Sequence, residues 1–169
     1  TLHTNDAIST VNRLLDMGVK SYLLASSLHA ILAQRLVRRI CESCTQPAAP
    51  DDQQKAWLLK HVDTDLASST FKQGEGCPHC NYTGYHGRIG VYELLYLDQT
   101  LSEILAHGDS ADFARVARNL KGYVPLNMLA LRYAVEGITT ISEVLRISAD
   151  VDAITDEQMQ HISNGVPVS

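Results

Sequence analysis

Apolar residues fall at helical spacing through the start of the chain. Ala7, Ile8, Val11, Leu14 and Leu15 make one stripe that Gly18 stops, and Thr4, Asn5 or Asp6 can cap the helix ahead of it. Residues 2–4 read as the end of a short strand that runs into this cap. Leu24, Leu28, Ile31, Leu32 and Leu36 make a second stripe, which predicts a longer helix over residues 21–39. Arg35, Arg38 and Arg39 gather in its last turns, where positive charge suits the helix dipole.

The pattern then thins. Pro47-Ala-Ala-Pro50 reads as a linker, and Asp51-Asp52 can cap a short helix carrying Trp57, Leu58 and Leu59. Residues 63–70 are polar and read as loop, with Phe71 on a strand beyond them. Tyr82, Tyr85 and Gly87 suggest an aromatic-lined turn, and residues 88–95 alternate as a strand with Ile89 and Val91 on one face. The rest is helical. Asp98 can cap residues 99–107, which Gly108 closes, and Ser110 can cap residues 111–120 with Phe113, Val116 and Leu120 inward. Pro125 sits at a first-turn position before residues 126–136, and Thr140-Ile-Ser-Glu143 is a capping box opening residues 141–147. Past Ser148 the chain turns polar and acidic and reads as a partly disordered tail.

Four cysteines change this picture. They form two pairs, Cys41-Glu-Ser-Cys44 and Cys77-Pro-His-Cys80, with none left over. Two residues between thiolates let one tight turn supply two corners of a tetrahedron, and a second such turn closes the shell around Zn²⁺. Gly74, Gly76 and Gly84 flank the second pair and suit the positive φ angles of such turns. Two disulfides or a redox dithiol are the competing uses. Nothing here resembles a secretory signal, though, and a redox motif needs one pair, not two. His79 lies between two cysteines and could replace one as ligand, while Arg38, Arg39, His79 and Arg88 could offset the charge of four thiolates. A closed shell leaves no place for an activated water, so the expected metal is structural.

Length and charge narrow the function. The 169 residues suit one domain, or one and a piece of another, and 14 basic against 19 acidic residues argue against general nucleic-acid or anionic-membrane binding. No apolar run approaches a membrane span, and thiolate ligands suit a reducing, cytosolic setting. A start in mid-element, without methionine, suggests an excised piece. The chain carries no phosphate-binding loop of the form G-x-x-x-x-G-K-[ST], no G-x-G-x-x-G, no H-E-x-x-H and no G-x-S-x-G. Two other classes remain from the residues alone, a nucleic-acid-binding zinc ribbon and a thiol redox switch.

Thr1-Leu-His-Thr-Asn-Asp-Ala7 resembles the histidine box of the type II secretion and type IV pilus assembly ATPases. Leu32-Ala-Gln-Arg-Leu-Val-Arg38, running into Cys41, is similar to the segment before that family's tetracysteine motif. Its second half resembles Cys77-Pro-His-Cys80-Asn-x-x-Gly84-Tyr85-x-Gly87-Arg88-x-Gly90-x-x-Glu93, and its closing helix resembles Gly137-Ile-Thr-Thr-Ile-Ser-Glu143-Val-Leu-Arg146. Within the family the chain looks most like the pilus-extension branch, such as that of mannose-sensitive haemagglutinin pili. One departure stands out: where members carry an acidic residue before the last helices, this chain reads Leu126-Asn-Met-Leu-Ala130.

The resemblance implies a mostly α fold with a small β component. Residues 1–40 would be the last part of a RecA-like α/β ATPase core, residues 41–97 a zinc subdomain held by Cys41, Cys44, Cys77 and Cys80, residues 98–148 a helical bundle, and residues 149–169 a tail. It implies a parent that is a homo-hexameric ATPase using ATP and Mg²⁺ to drive pilin or pseudopilin assembly. That parent would be cytoplasmic and held at the inner membrane through platform proteins, without a transmembrane segment or nucleic acid. The phosphate-binding loop and catalytic glutamate would lie upstream of Thr1, so the chain by itself would not be an enzyme. His3 would lie near the γ-phosphate as a sensor or positioning group. Gln34 and Arg35 match the family pattern without an assigned role.

Overall fold

Asp6 starts the first helix. Its carboxylate accepts the Ser9 N–H, and the Ser9 hydroxyl meets the Asp6 N–H at 3.4 Å, so two donors orphaned at a helix start are satisfied together. The computed structural model describes residue 4, residues 6–62 and residues 69–149. In order it forms α1 (Ala7–Asp16), α2 (Ser21–Ser27), β1 (Ala30–Ile40), β2 (Thr45–Ala48), α3 (Asp52–His61), β3 (Phe71–Gly74), β4 (Tyr85–Tyr96), α4 (Gln99–His107), α5 (Ser110–Arg118), α6 (Leu126–Val135) and α7, helical over residues 141–149. Among the described residues about half are helical and about 22% are strand, as the mostly α reading expected.

One expectation fails outright. Residues 21–39 are not one helix: α2 ends at Ser27, and β1 carries the chain to the first cysteine pair as strand. Ile31 and Val37 are buried, with Leu32 and Leu36 exposed on the other side. The strand pairs with β4, with the Leu97 N–H on the His29 carbonyl at one end and the Cys41 N–H on the Gly84 carbonyl at the other. A smaller correction falls at α5, where Asp109 is the cap and Ser110 the first helical residue.

The described residues divide into two compact units, with the division falling inside β1, β4 and α6. The first takes in α1, α2, α4 and α5, and Ile8, Val11, Leu24, Leu101, Leu105 and Phe113 fill its core. Ile8, Val11 and Phe113 belong to stripes that the sequence pattern identified. The Ser21 hydroxyl donates to the Ala106 carbonyl at 3.1 Å and fastens α2 to α4. The second unit holds the cysteines, α3, the β2–β3 ladder and α7. The ladder runs antiparallel from Thr45 opposite Gly74 to Ala48 opposite Phe71. α7 is clasped to the end of β1 through Glu143, whose buried carboxylate takes the Arg38 N–H at 2.9 Å, the Arg38 guanidinium at 2.9 Å and the Arg146 guanidinium at 3.0 Å. No helix among the described residues is long and apolar enough to cross a membrane.

Candidate metal centre

Each cysteine pair sits on a single tight turn. β1 delivers the first: the Ile40 N–H donates to the Ile138 carbonyl at 2.9 Å, and Cys44 N–H turns back onto the Cys41 carbonyl at 3.3 Å. In the second, Pro78 opens the turn at a position where a missing N–H costs nothing, and Cys80 N–H closes onto the Cys77 carbonyl at 3.1 Å. Asn81 and Tyr82 then take left-handed backbone, which is uncommon without glycine, and Thr83 steadies the exit by donating its hydroxyl to the Cys80 carbonyl at 2.6 Å.

The two turns are pressed against each other through backbone. Cys41 N–H donates to the Gly84 carbonyl at 3.0 Å, and Glu75 N–H to the Cys44 carbonyl at 3.0 Å. A Cβ on Gly74 would come within 2.7 Å of the Gly84 Cα, so Gly74 is required for room. The expectation of positive φ holds at Gly76 and Gly84, at 99° and 75°, and not at Gly74.

This packing brings four sulfurs together. All four Sγ atoms lie within 4.8 Å of one another, and Cys41–Cys77, Cys44–Cys80 and Cys77–Cys80 are each 3.8 Å apart. A tetrahedron with Zn–S bonds of about 2.3 Å has edges of about 3.8 Å, so the cluster fits such an ion. The spacing is far longer than a disulfide bond of about 2.05 Å. Backbone N–H groups turn toward the sulfurs: Gly76 to Cys44 at 3.3 Å, and Cys77 and Gly84 to Cys80 at 3.2 and 3.3 Å. Burial works against ionising Cys80, but those N–H donors outweigh it and bring its thiol down to about 6. At Cys44 burial and the neighbouring thiols prevail over its single N–H donor, and its thiol is pushed up to about 12.

Three of the four basic residues expected near the sulfurs, Arg38, Arg39 and His79, have partners elsewhere. Arg38 pairs with Glu143 and lies 4.0 Å over the Tyr85 ring, and Arg39 pairs with Glu42 at 3.5 Å. His79 packs on His86, with ring centroids 4.4 Å apart. Donors on the sulfurs come from backbone, which sequence pattern does not reveal. Gln34 donates its amide N–H to the Tyr92 hydroxyl at 3.1 Å. His3 lies outside the described residues, as do residues 1–2, 5, 63–68 and the tail from residue 150.

A family model described as type II/IV secretion system protein matches residues 1–146. The type II secretion system protein E of Dickeya dadantii (strain 3937) is 40% identical over 152 residues, covering 89% of this chain and 29% of that protein. The type IV pilus assembly ATPase PilB of Myxococcus xanthus (strain DK1622) is 41% identical over 146 residues, covering 86% of this chain and 26% of that protein. The type IV pilus assembly ATPase TfpB of Acinetobacter baylyi is 40% identical over 148 residues, covering 87% of this chain and 25% of that protein. The chain thus spans between 25% and 29% of the length of these relatives. With the match running through both cysteine turns and into α7, the chain belongs to the type II/IV secretion system protein family.

Proposed function

We propose that this chain is the C-terminal, zinc-containing part of a hexameric ATPase that powers pilin or pseudopilin assembly. The carrying observation is the four-sulfur cluster at tetrahedral spacing, set within a stretch that the secretion family matches from residue 1 to residue 146. Cys41, Cys44, Cys77 and Cys80 hold one structural Zn²⁺, which ties together two turns that otherwise meet through backbone contacts. In this reading residues 1–40 finish the RecA-like core, residues 41–97 are the zinc subdomain, residues 98–148 the helical bundle and residues 149–169 the tail. The ATP, Mg²⁺ and catalytic groups belong to the longer protein, which works on the cytoplasmic side against platform proteins of the inner membrane. His3 acts there, near the γ-phosphate.

Elemental analysis of the purified chain tests the metal, with one zinc per chain expected and no bound metal refuting it. Calorimetry tests the division of labour. Phosphate binding in this enzyme class needs a glycine-rich loop, a lysine and a Mg²⁺-holding hydroxyl, so the chain alone should show no micromolar affinity for ATP. Such affinity would overturn the assignment of nucleotide binding to other residues.

A further inference from the structure

Residues 138–146 lie along one edge of β1 where it runs into the first cysteine turn. The Arg146 guanidinium donates to the Leu36 carbonyl at 3.1 Å, and the Arg38 N–H donates to Glu143 Oε2 at 2.9 Å. The Thr139 hydroxyl donates to the Arg38 carbonyl at 2.7 Å. The Ile40 N–H closes the series on the Ile138 carbonyl at 2.9 Å, one residue before Cys41. Leu36, Arg38 and Ile40 are alternate residues of the strand, so their main-chain groups share an edge. The start of α7 stands where a neighbouring strand would pair.

The second cysteine turn meets the same segment. Tyr85 follows Gly84 directly, and its hydroxyl is hydrogen-bonded to the Thr140 hydroxyl at 2.9 Å. The Arg38 guanidinium lies 4.0 Å over its ring. Thr139, Thr140 and Glu143 are all buried. The start of α7 therefore ties the end of β1 to the start of β4, the same two points that an ion on the four sulfurs would join. Glu143 makes this tie unforgiving. Its carboxylate meets Arg38 through both main chain and guanidinium, so a shift of β1 strips donors from a buried anion.

We propose that α7 is a zinc-linked element, docked while the metal is held and loosened when it is removed. The inference rests on the reading of the four cysteines as a zinc site. Holding both turns in place beforehand lowers the ordering cost of binding, so a docked α7 raises zinc affinity. The effect is reciprocal by linkage: whatever factor α7 docking adds to zinc affinity, zinc adds to α7 docking.

The test is zinc affinity, by competition with a chromophoric chelator, beside amide exchange of the whole chain. Glu143→Gln should weaken zinc binding about tenfold. Tyr85→Phe keeps the ring beneath Arg38 and loses only the hydroxyl, so it should weaken binding about fivefold. Leu58→Val is the control. Leu58 is buried on α3 of the same unit, and its loss should lower stability while zinc affinity stays within about twofold. In wild type, chelation should speed exchange at the amides of residues 144–148 about tenfold. Wild-type zinc affinity in Tyr85→Phe and Glu143→Gln overturns the inference and leaves the zinc reading standing. So does unchanged exchange at residues 144–148 on chelation. Equal weakening by Leu58→Val also overturns it, since any loss of stability would then do the same. No zinc on the wild-type chain overturns the metal reading, and the inference falls with it. If Glu143→Gln misfolds, Tyr85→Phe carries the comparison.

Discussion

Gly84→Ala strikes the centre where its two turns press together. Gly84 holds φ of 75°, and a Cβ there would lie 3.0 Å from the Gly74 carbonyl carbon and closer still to its oxygen. Left-handed backbone costs a non-glycine residue about 1–2 kcal/mol. The obstacle is main chain and cannot swing aside as a side chain would, so overpacking adds about 1–3 kcal/mol. The forced shift pulls on the Cys41 N–H to Gly84 carbonyl bond and on the Gly84 N–H to Cys80 sulfur contact. Losing one such bond is worth about 1 kcal/mol. The total comes to about 4 kcal/mol, and if the metal-bound state bears it, zinc affinity falls about a thousandfold. Gly87→Ala is the matched control, since Gly87 has φ of 79° and nothing within 4 Å of an added Cβ. It should lose only the backbone contribution of about 1–2 kcal/mol and keep its zinc affinity. Competition with a chromophoric chelator, run beside thermal melting on the same samples, separates the two effects. Equal zinc affinity in wild type and both variants would refute the claim that Gly74 and Gly84 set the spacing of the turns.

Two further outcomes follow from the second unit. Chelation, or Cys77→Ser, should speed amide exchange at Cys41, Glu75 and Gly76, whose N–H bonds cross between the two turns, while α4 and α5 keep their protection; uniform loss across the chain would count against a local role. Glu143→Gln should cost about 2 kcal/mol near neutral pH, because two arginines and a backbone N–H lose their shared anion. Burial resists ionising Glu143, but Arg146 and Arg38 outweigh it and hold its carboxyl below the ordinary range. The folded chain then binds that proton less readily than the unfolded one. Its stabilisation is full above the ordinary glutamate value and fades as pH falls through the depressed one. Melting curves of wild type and Glu143→Gln should therefore converge in acid, and a gap that persists there would contradict this account.

The cysteine centre was legible because spacing within each turn is a local property of the chain. So were α1, α4, α5 and α6, whose caps and stripes lie within a few residues of one another. β1 was not. Leu32 and Leu36 sit on its exposed side and complete a false helical stripe with Leu24 and Leu28, and Ala, Leu, Gln and Arg all favour helix. Pairing with β4 overrode that preference, and the partner lies more than forty residues away. Glu93 shows the same limit. It was visible as a motif position, but its donors come from Ala7, Tyr123 and Leu126, which no local pattern connects to it. Glu143 was read as part of a capping box. The Thr140 hydroxyl does take its N–H at 3.3 Å, yet its carboxylate serves Arg38 and Arg146.

The short β2–β3 ladder has a consequence for how this chain tolerates change in length. It clamps both ends of the excursion from residue 49 to residue 70, directly beyond Cys44 and just ahead of Cys77. Segments added or removed inside that excursion act on a loop whose mouth is already closed. Closure entropy grows only with the logarithm of loop length, about 0.6 kcal/mol for each doubling. Length polymorphism between the two cysteine turns is therefore insulated from the geometry of the sulfurs, and the excursion can diverge while the knot beneath it keeps its dimensions.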